Sequence, residues 1–175
     1  MSSEFERTGG EEVYEGKIFS VWRETFRHED GDEATRETVR HPGAVGMVAC
    51  DDEVVWLVRQ PRESVGVGDL LEIPAGKLDE GGEDPLQTAQ RELAEEIGHE
   101  ADHWEQLVSY HPSSGYTDEV VHLFAATALR RSDVEPDPGE RIEIVRWPLS
   151  DLDGAIAATT DAKTLLGLAW LRGRL

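Results

Sequence analysis

Apolar and polar residues alternate along much of this chain with the period of half-buried strands. KIFSVWRETFRH and ATRETVRH flank an Asp30-Gly31 turn signal and predict a hairpin, so the N-terminal segment reads as a β-ribbon. AVGMVAC and VVWLVRQ, separated by Asp51-Asp52-Glu53, predict a second hairpin. RESVGVGD reads as a Gly-containing loop, and LLEIP as a short buried strand ended by Pro74. HWEQLVSYH and EVVHLFAATAL read as strands around the loop HPSSGYTD, and IEIVRWP as a last strand. Asp133 to Glu140, which includes two prolines, predicts an exposed loop.

The period changes to 3.6 after Asp84-Pro85. At ~100° per residue, Leu86, Ala89, Leu93 and Ile97 share an arc of roughly 80° and predict the core face of a helix. Asp84 suits the N-cap, Pro85 the first helical position and Gly98 the stop. LSDLDGAIAATT and DAKTLLGLAWLRG predict two closing helices. Short strands with one central and two terminal helices predict an α+β fold, an α/β/α sandwich. The expected division is a ribbon at 1–42 and a main domain at 43–175.

Composition narrows the partners. There are 37 acidic residues against 17 basic ones, a net charge of −20, and the lysines are only Lys17, Lys77 and Lys163. Such a surface repels phosphate backbones, which argues against a nucleic acid partner. Acid excess with little lysine suggests adaptation to concentrated salt, where screening removes self-repulsion. No apolar run approaches the ~18 residues of a membrane span. MSSEFERTGGEEVYEG lacks the apolar core of a secretory signal, so a cytoplasmic location is expected. The single Cys50 lies in an apolar run and reads as a core residue rather than a nucleophile.

The chemistry gathers on the central helix. Glu92, Glu95 and Glu96 lie on the arc beside its core face, where like charges repel. A divalent cation removes that repulsion, and hard oxygen donors suit Mg²⁺ or Mn²⁺. A solvated acidic face accounts for the spacing equally well, so the helix alone does not decide. The preceding loop, GKLDEGG, lets the backbone curl toward the helix, and Arg91 is placed to pair with Glu83.

Gly76, Glu83 and the run Arg91-Glu92-Leu93-Ala94-Glu95-Glu96-Ile97-Gly98 resemble the box of the Nudix hydrolases. That pattern is Gly-x5-Glu-x7-Arg-Glu-U-x-Glu-Glu-x-Gly-U, with U a bulky aliphatic residue. Two departures stand out: six residues separate Gly76 from Glu83, through the Gly81-Gly82 pair, and His99 occupies the last aliphatic position. VYEGKIFSVWRETFRHEDGDEATRETVRHPGAVGMVA, VRQPR, LLEIPAGKLD, SSGYTDEVVHLFAA and DAKTLLGLAWL extend the likeness toward the ADP-ribose pyrophosphatase branch.

That resemblance implies the Nudix fold, an α/β/α sandwich with a mixed sheet. It also implies an N-terminal β-ribbon that builds a homodimer and walls the adenine side of the substrate site. The implied reaction is hydrolysis of ADP-ribose to AMP and ribose 5-phosphate with two or three Mg²⁺ ions. Glu92, Glu95, Glu96 and the Ala75 carbonyl are the implied metal ligands. Glu119 is the implied base with Glu96 its rival, Arg62 the diphosphate contact, and Arg36 and Glu37 the adenosine-facing pair. Trp22 reads as an interface or core residue rather than a base-stacking one. Ser113-Ser114-Gly115 stands where ADP-ribose members carry Ser-Pro-Gly, which bears on the sugar accepted. GDP-mannose, coenzyme A and dinucleotide polyphosphates are rival substrates, and a non-catalytic ADP-ribose sensor is the rival of another class. Sensors tend to lose box carboxylates, whereas this chain keeps Arg91, Glu92, Glu95 and Glu96.

Overall fold

The computed structural model describes residues 4–79, 81, 83–134 and 141–175. Two compact units make up the chain: Met1–Gly43 with His111–Val120, and Ala44–Tyr110 with Val121–Leu175.

The first unit is built on an antiparallel three-stranded sheet, in the order β1 (Phe5–Glu15), β2 (Ser20–His28) and β3 (Glu33–Arg40). The β2–β3 hairpin turns at Asp30-Gly31, where Gly31 takes a φ of 88° that a side chain disfavours. Strand β1 does not announce itself by alternation. Most of its residues are polar or glycine, all of them are exposed, and its antiparallel pairing with β2, through two bulges, defines it. The loop His111–Val120 joins this unit through Val39, whose N–H donates to the Tyr116 carbonyl at 2.7 Å and whose carbonyl accepts from Asp118 N at 3.1 Å.

The second unit holds a seven-stranded mixed sheet. Its main path runs β10 (Glu143–Pro148), β5 (Val54–Arg62), β4 (Ala44–Cys50), β9 (Val121–Arg131), β8 (His99–Tyr110). Strand β6 (Val67–Glu72) pairs with β5, and β7 (Ala75–Lys77) with β4. Among the described residues of this sheet, only the central β4–β9 pair is parallel. Strand β6 begins inside the stretch that reads as loop, because Gly66 (φ 71°) reverses the chain so that Val67 meets Arg62. Three-residue β7 is too short for any period to reveal.

Alternation on β4 builds two cores. Val45, Met47 and Ala49 face helix α1 (Pro85–Ile97), packing on Ala89, Leu93 and Ile97. Val48 and Cys50 face the other way, onto Leu152 and Ala155 of α2 (Leu152–Ala157) and Leu168 and Leu171 of α3 (Ala162–Arg172). Burying one such leucine contributes about 1.5–3 kcal/mol. Gly167 lets α3 approach β4, since a Cβ there would stand 2.7 Å from Val48 Cγ2. This is the expected sandwich.

Helix α1 starts as its sequence predicts. Asp84 and Gln87 form a reciprocal capping box, Pro85 opens the helix, and Gly98 ends it in the left-handed region. Leu86 departs from expectation. It is exposed, because its first-turn side chain passes the apolar cluster and lines a cleft with Trp104 and Phe124. Of the expected loop at 133–140, residues 135–140 lie outside the described residues. Among the described residues no helix is long and apolar enough to cross a membrane.

Candidate active site

Helix α1 presents its acids along one edge, and Arg91 makes the crowding tolerable. The guanidinium lies 3.0 Å from Glu92, 2.8 Å from Glu95 and 3.2 Å from Glu83. Burial works against the Arg91 charge, but Glu92, Glu83 and Glu95 outweigh it and hold the side chain firmly protonated. Glu83 also accepts from Thr88 Oγ1 at 3.1 Å, which ties the loop to the first turns of the helix. The Glu83–Arg91 pairing is the one expected from sequence; Gly82 of the loop lies outside the described residues.

Glu96 is 5% exposed and accepts the Ala75 N–H at 2.9 Å, hooking β7 to the helix. The Glu92 side chain folds over Gly76, where a Cβ would sit 2.1 Å from its carboxyl carbon. A larger residue there would push the Glu92 side chain away, which gives the first box glycine a packing reason.

Among the described residues no three His, Cys, Asp or Glu side chains stand close enough to cradle a metal ion. Arg91 engages Glu92 and Glu95, and Glu96 holds Ala75. The donors nevertheless fit a hard divalent cation: three carboxylates on one helix edge beside the backbone of residue 75. Gathering them on one ion requires the carboxylates to converge more closely than they do here.

Arg62 ends β5 on a bidentate pair with Glu72, Nε at 2.6 Å and Nη2 at 3.0 Å. Glu72 raises the Arg62 pKa, and Glu96 and Asp161 add to the effect. Glu72 is fully buried and also binds Lys163. Neither residue was singled out by pattern. The available signal was an acid inside a buried strand, LLEIP, which demands a cation.

In the first unit, the acids of the GYTDE loop differ. Asp118 is fixed by Arg40 Nη1 at 2.8 Å and the His41 N–H at 3.0 Å. Glu119 is held by its backbone, its N–H donating to Thr117 Oγ1 at 3.1 Å and its carbonyl meeting His111 Nδ1 at 2.9 Å. Its carboxylate approaches His41 Nδ1 at 3.5 Å. That nitrogen already accepts from Gly43 N at 3.1 Å, so the approach is not a hydrogen bond.

Arg36 and Glu37 of β3 line a cavity of about 270 Å³ together with Phe5, Phe26, His28 and Tyr116. Trp22 carries the Arg7 guanidinium 5.5 Å from its ring centre. Thus Glu92, Glu95, Glu96, Ala75 and Arg62 belong to the second unit, and Arg36, Glu37 and Glu119 to the first. Cys50 is buried and its thiol pKa is raised by burial, as befits a core residue. His99, in the box's aliphatic position, packs against Trp56 with tilted rings whose centres are 4.2 Å apart.

Residues 40–166 match the family model described as the NUDIX domain. The chain belongs to the Nudix family. Among its Nudix-region relatives, a methanol dehydrogenase activator from Bacillus methanolicus is 34% identical over 167 residues, spanning 93% of this chain and 89% of that protein. An ADP-ribose pyrophosphatase from Bacillus subtilis (strain 168) is 35% identical over 170 residues, again spanning 93% and 89%. A crystal structure of an ADP compounds hydrolase matches with a TM-score of 0.83 at 23% identity, covering 98% of this chain and 96% of that one. At that identity the structural likeness speaks for the shared Nudix fold.

Proposed function

We propose that this Nudix protein hydrolyses the diphosphate bond of ADP-ribose, giving AMP and ribose 5-phosphate. The observation that carries the reading is the α1 edge: Glu92, Glu95 and Glu96 beside the Ala75 backbone, in a chain 35% identical to an ADP-ribose pyrophosphatase. Glu92, Glu95, Glu96 and the Ala75 carbonyl would hold Mg²⁺, two or three ions per site. When bound, the ions neutralise the diphosphate and act as Lewis acids on its oxygens.

The chain's own groups do the rest. Arg62 binds a diphosphate oxygen through the nitrogen that Glu72 does not engage. The aromatic-lined cavity bearing Arg36 and Glu37 receives the adenosine end. Glu119 accepts the proton as the water oxygen bonds to phosphorus. The bridging P–O bond breaks, and its electron pair leaves with the departing phosphate. Glu119 suits this role better than its neighbour Asp118, whose oxygens are held by Arg40 and His41. It also suits better than Glu96, which is buried on Ala75.

The three-stranded sheet leaves Phe5, Tyr14, Ile18 and Phe19 exposed. A second copy of the chain covers them, in a homodimer burying more than ~1,000 Å². A monomeric mass by light scattering in high salt would remove that part. The decisive test of the reaction is a panel of ADP-ribose, GDP-mannose, coenzyme A and dinucleotide polyphosphates with Mg²⁺. Cleavage of the diphosphate should be fastest in ADP-ribose, scored there by AMP release; ADP-ribose bound without turnover would make the protein a sensor.

A further inference from the structure

One of the chain's three lysines is largely buried, beside the strand that leads to Ala75. The Lys163 side chain is 15% exposed, and its ammonium contacts Glu72 and, at 3.0 Å, Asp161. Asp161 caps α3 by accepting the Thr164 N–H at 2.9 Å. Three consecutive residues of the approach to Pro74 are gripped by one short segment. Thr159 Oγ1 donates to the Leu71 carbonyl at 2.6 Å, Lys163 holds the Glu72 carboxylate, and Thr164 Oγ1 accepts the Ile73 N–H at 2.8 Å.

Glu72 therefore serves two cations, Lys163 and Arg62. A buried carboxylate is expensive to desolvate and draws in whatever positive charge it can reach. With Lys163 present, the four groups Arg62, Lys163, Glu72 and Asp161 are formally neutral. Without it, Arg62 is the sole counter-ion of Glu72 and the group carries a net negative charge.

We infer that Lys163 is a positioning residue for the reaction: by sharing buried Glu72 it leaves Arg62 oriented and electrostatically available to a diphosphate. This rests on the reading of Arg62 as the diphosphate contact. Mere structural support would lower Tm and leave the Kd of ADP unchanged. Charge sharing makes two lesions compensate, because Glu72→Gln restores the neutrality that Lys163→Met removes.

The test compares the wild type with Arg62→Gln, Lys163→Met, Lys163→Arg and the double variant Glu72→Gln/Lys163→Met. Each is measured for KM and kcat on ADP-ribose, for the Kd of ADP by calorimetry with Mg²⁺, and for Tm. Lys163→Met should raise KM and Kd about tenfold with kcat little changed, the order of effect of a unit charge at about 10 Å through an effective dielectric of about 20. Lys163→Arg should restore both. The double variant should return to within about twofold of wild type, the usual error of additivity. If Lys163→Met does not fold, the double variant, which buries no unpaired charge, carries the test. A double variant as impaired as Lys163→Met, or worse, makes the role structural and overturns the inference. So does an unchanged Kd in folded Lys163→Met. If ADP binding follows the predicted order but ADP-ribose is not hydrolysed, the substrate reading falls and the inference stands. If Arg62→Gln alters neither KM nor Kd, the inference falls together with the Arg62 assignment.

Discussion

Each unit of the protein contains one fully buried glutamate held by two cations, and the two clusters are built differently. Glu24, 1% exposed, lies between Arg7 at 2.8 Å and Arg40 at 2.7 Å, both of which remain close to half exposed. Glu72, 0% exposed, lies between Arg62 and the much less exposed Lys163. The Glu24 cluster reaches through Arg40 to Asp118, and so fixes the loop residue before Glu119. The Glu72 cluster fixes the strand before Ala75. Replacing a buried ion pair by apolar residues is often neutral, so neither cluster exists for stability alone. Apolar packing lacks direction, whereas a carboxylate with two cations sets angles. In each unit the charge lies next to a segment whose exact path the proposed chemistry depends on.

The sharpest way to break this comparison is to strike the two chemical ends separately. Glu119→Gln should lower kcat by about 10² to 10⁴, with Mg²⁺ affinity and KM little changed. Glu96→Gln should abolish turnover and weaken metal binding while the fold persists, because a buried ligand and the Ala75 hook are altered together. Steady-state kinetics with Mg²⁺ titrations separate the two. A Glu119→Gln enzyme within a few-fold of wild type would transfer the base to Glu96.

Stability is the next readout. Glu24→Ala leaves the half-exposed Arg7 and Arg40 without their shared carboxylate and should cost about 1.5–3 kcal/mol, or roughly 3–12 °C in Tm. Urea denaturation of the folded variant checks it. A loss below about 1 kcal/mol would mean the arginines find water or Asp118 instead, and the likeness to Glu72 would be superficial.

Much of this was legible beforehand because periodicity carries it. Alternation gave β2 to β5, β8 and β9, and a cap, a proline and a glycine bounded α1. Spacing placed Glu92, Glu95 and Glu96 on one helix, the resemblance to the Nudix box marked them as ligands, and Glu83 just before the helix was expected to pair with Arg91. Three things were not legible. Polar, glycine-bearing β1 is defined only by its pairing partner, β7 is shorter than any period, and Leu86 depends on where the helix overhangs its core. Glu24 and Glu72 belong to the same class, since the residues that neutralise them stand at 7, 40, 62 and 163. Contacts that far apart leave no local pattern.

Acid should separate the intact Glu24 cluster from its variants. Burial pushes the Glu24 pKa up, but hydrogen bonds from Thr38 and Arg40 and the charges of Arg40 and Arg7 outweigh it, so the net shift is downward. A lowered folded pKa gives stability that is fully present above the ordinary glutamate value of about 4.3 and lost as pH falls through the folded value. Glu24→Gln should therefore flatten the acid limb of the stability curve below about pH 4.5. An acid limb parallel to wild type would show that Glu24 titrates alike in both states.

Salt gives the smallest and most discriminating difference. With 37 acids against 17 basic residues, the folded chain repels itself when screening is weak. Raising KCl from 0.1 M to 1 M shortens the Debye length from about 10 Å to 3 Å, so the wild-type Tm should rise with salt. A flat or falling Tm would return the protein to the ordinary acidic class. Against that rise, the two clusters should respond to different degrees in a second comparison. The arginines on Glu24 are 46% and 40% exposed, so salt reaches them and the penalty of Glu24→Gln should shrink at 1 M KCl by about 0.2–1 kcal/mol. On Glu72, Arg62 is 38% exposed but Lys163 only 15%, so the penalty of Glu72→Gln should shrink less across the same range. Equal salt responses would mean that water and ions enter both clusters alike, and that the shielded geometry assigned to Lys163 does not hold in solution.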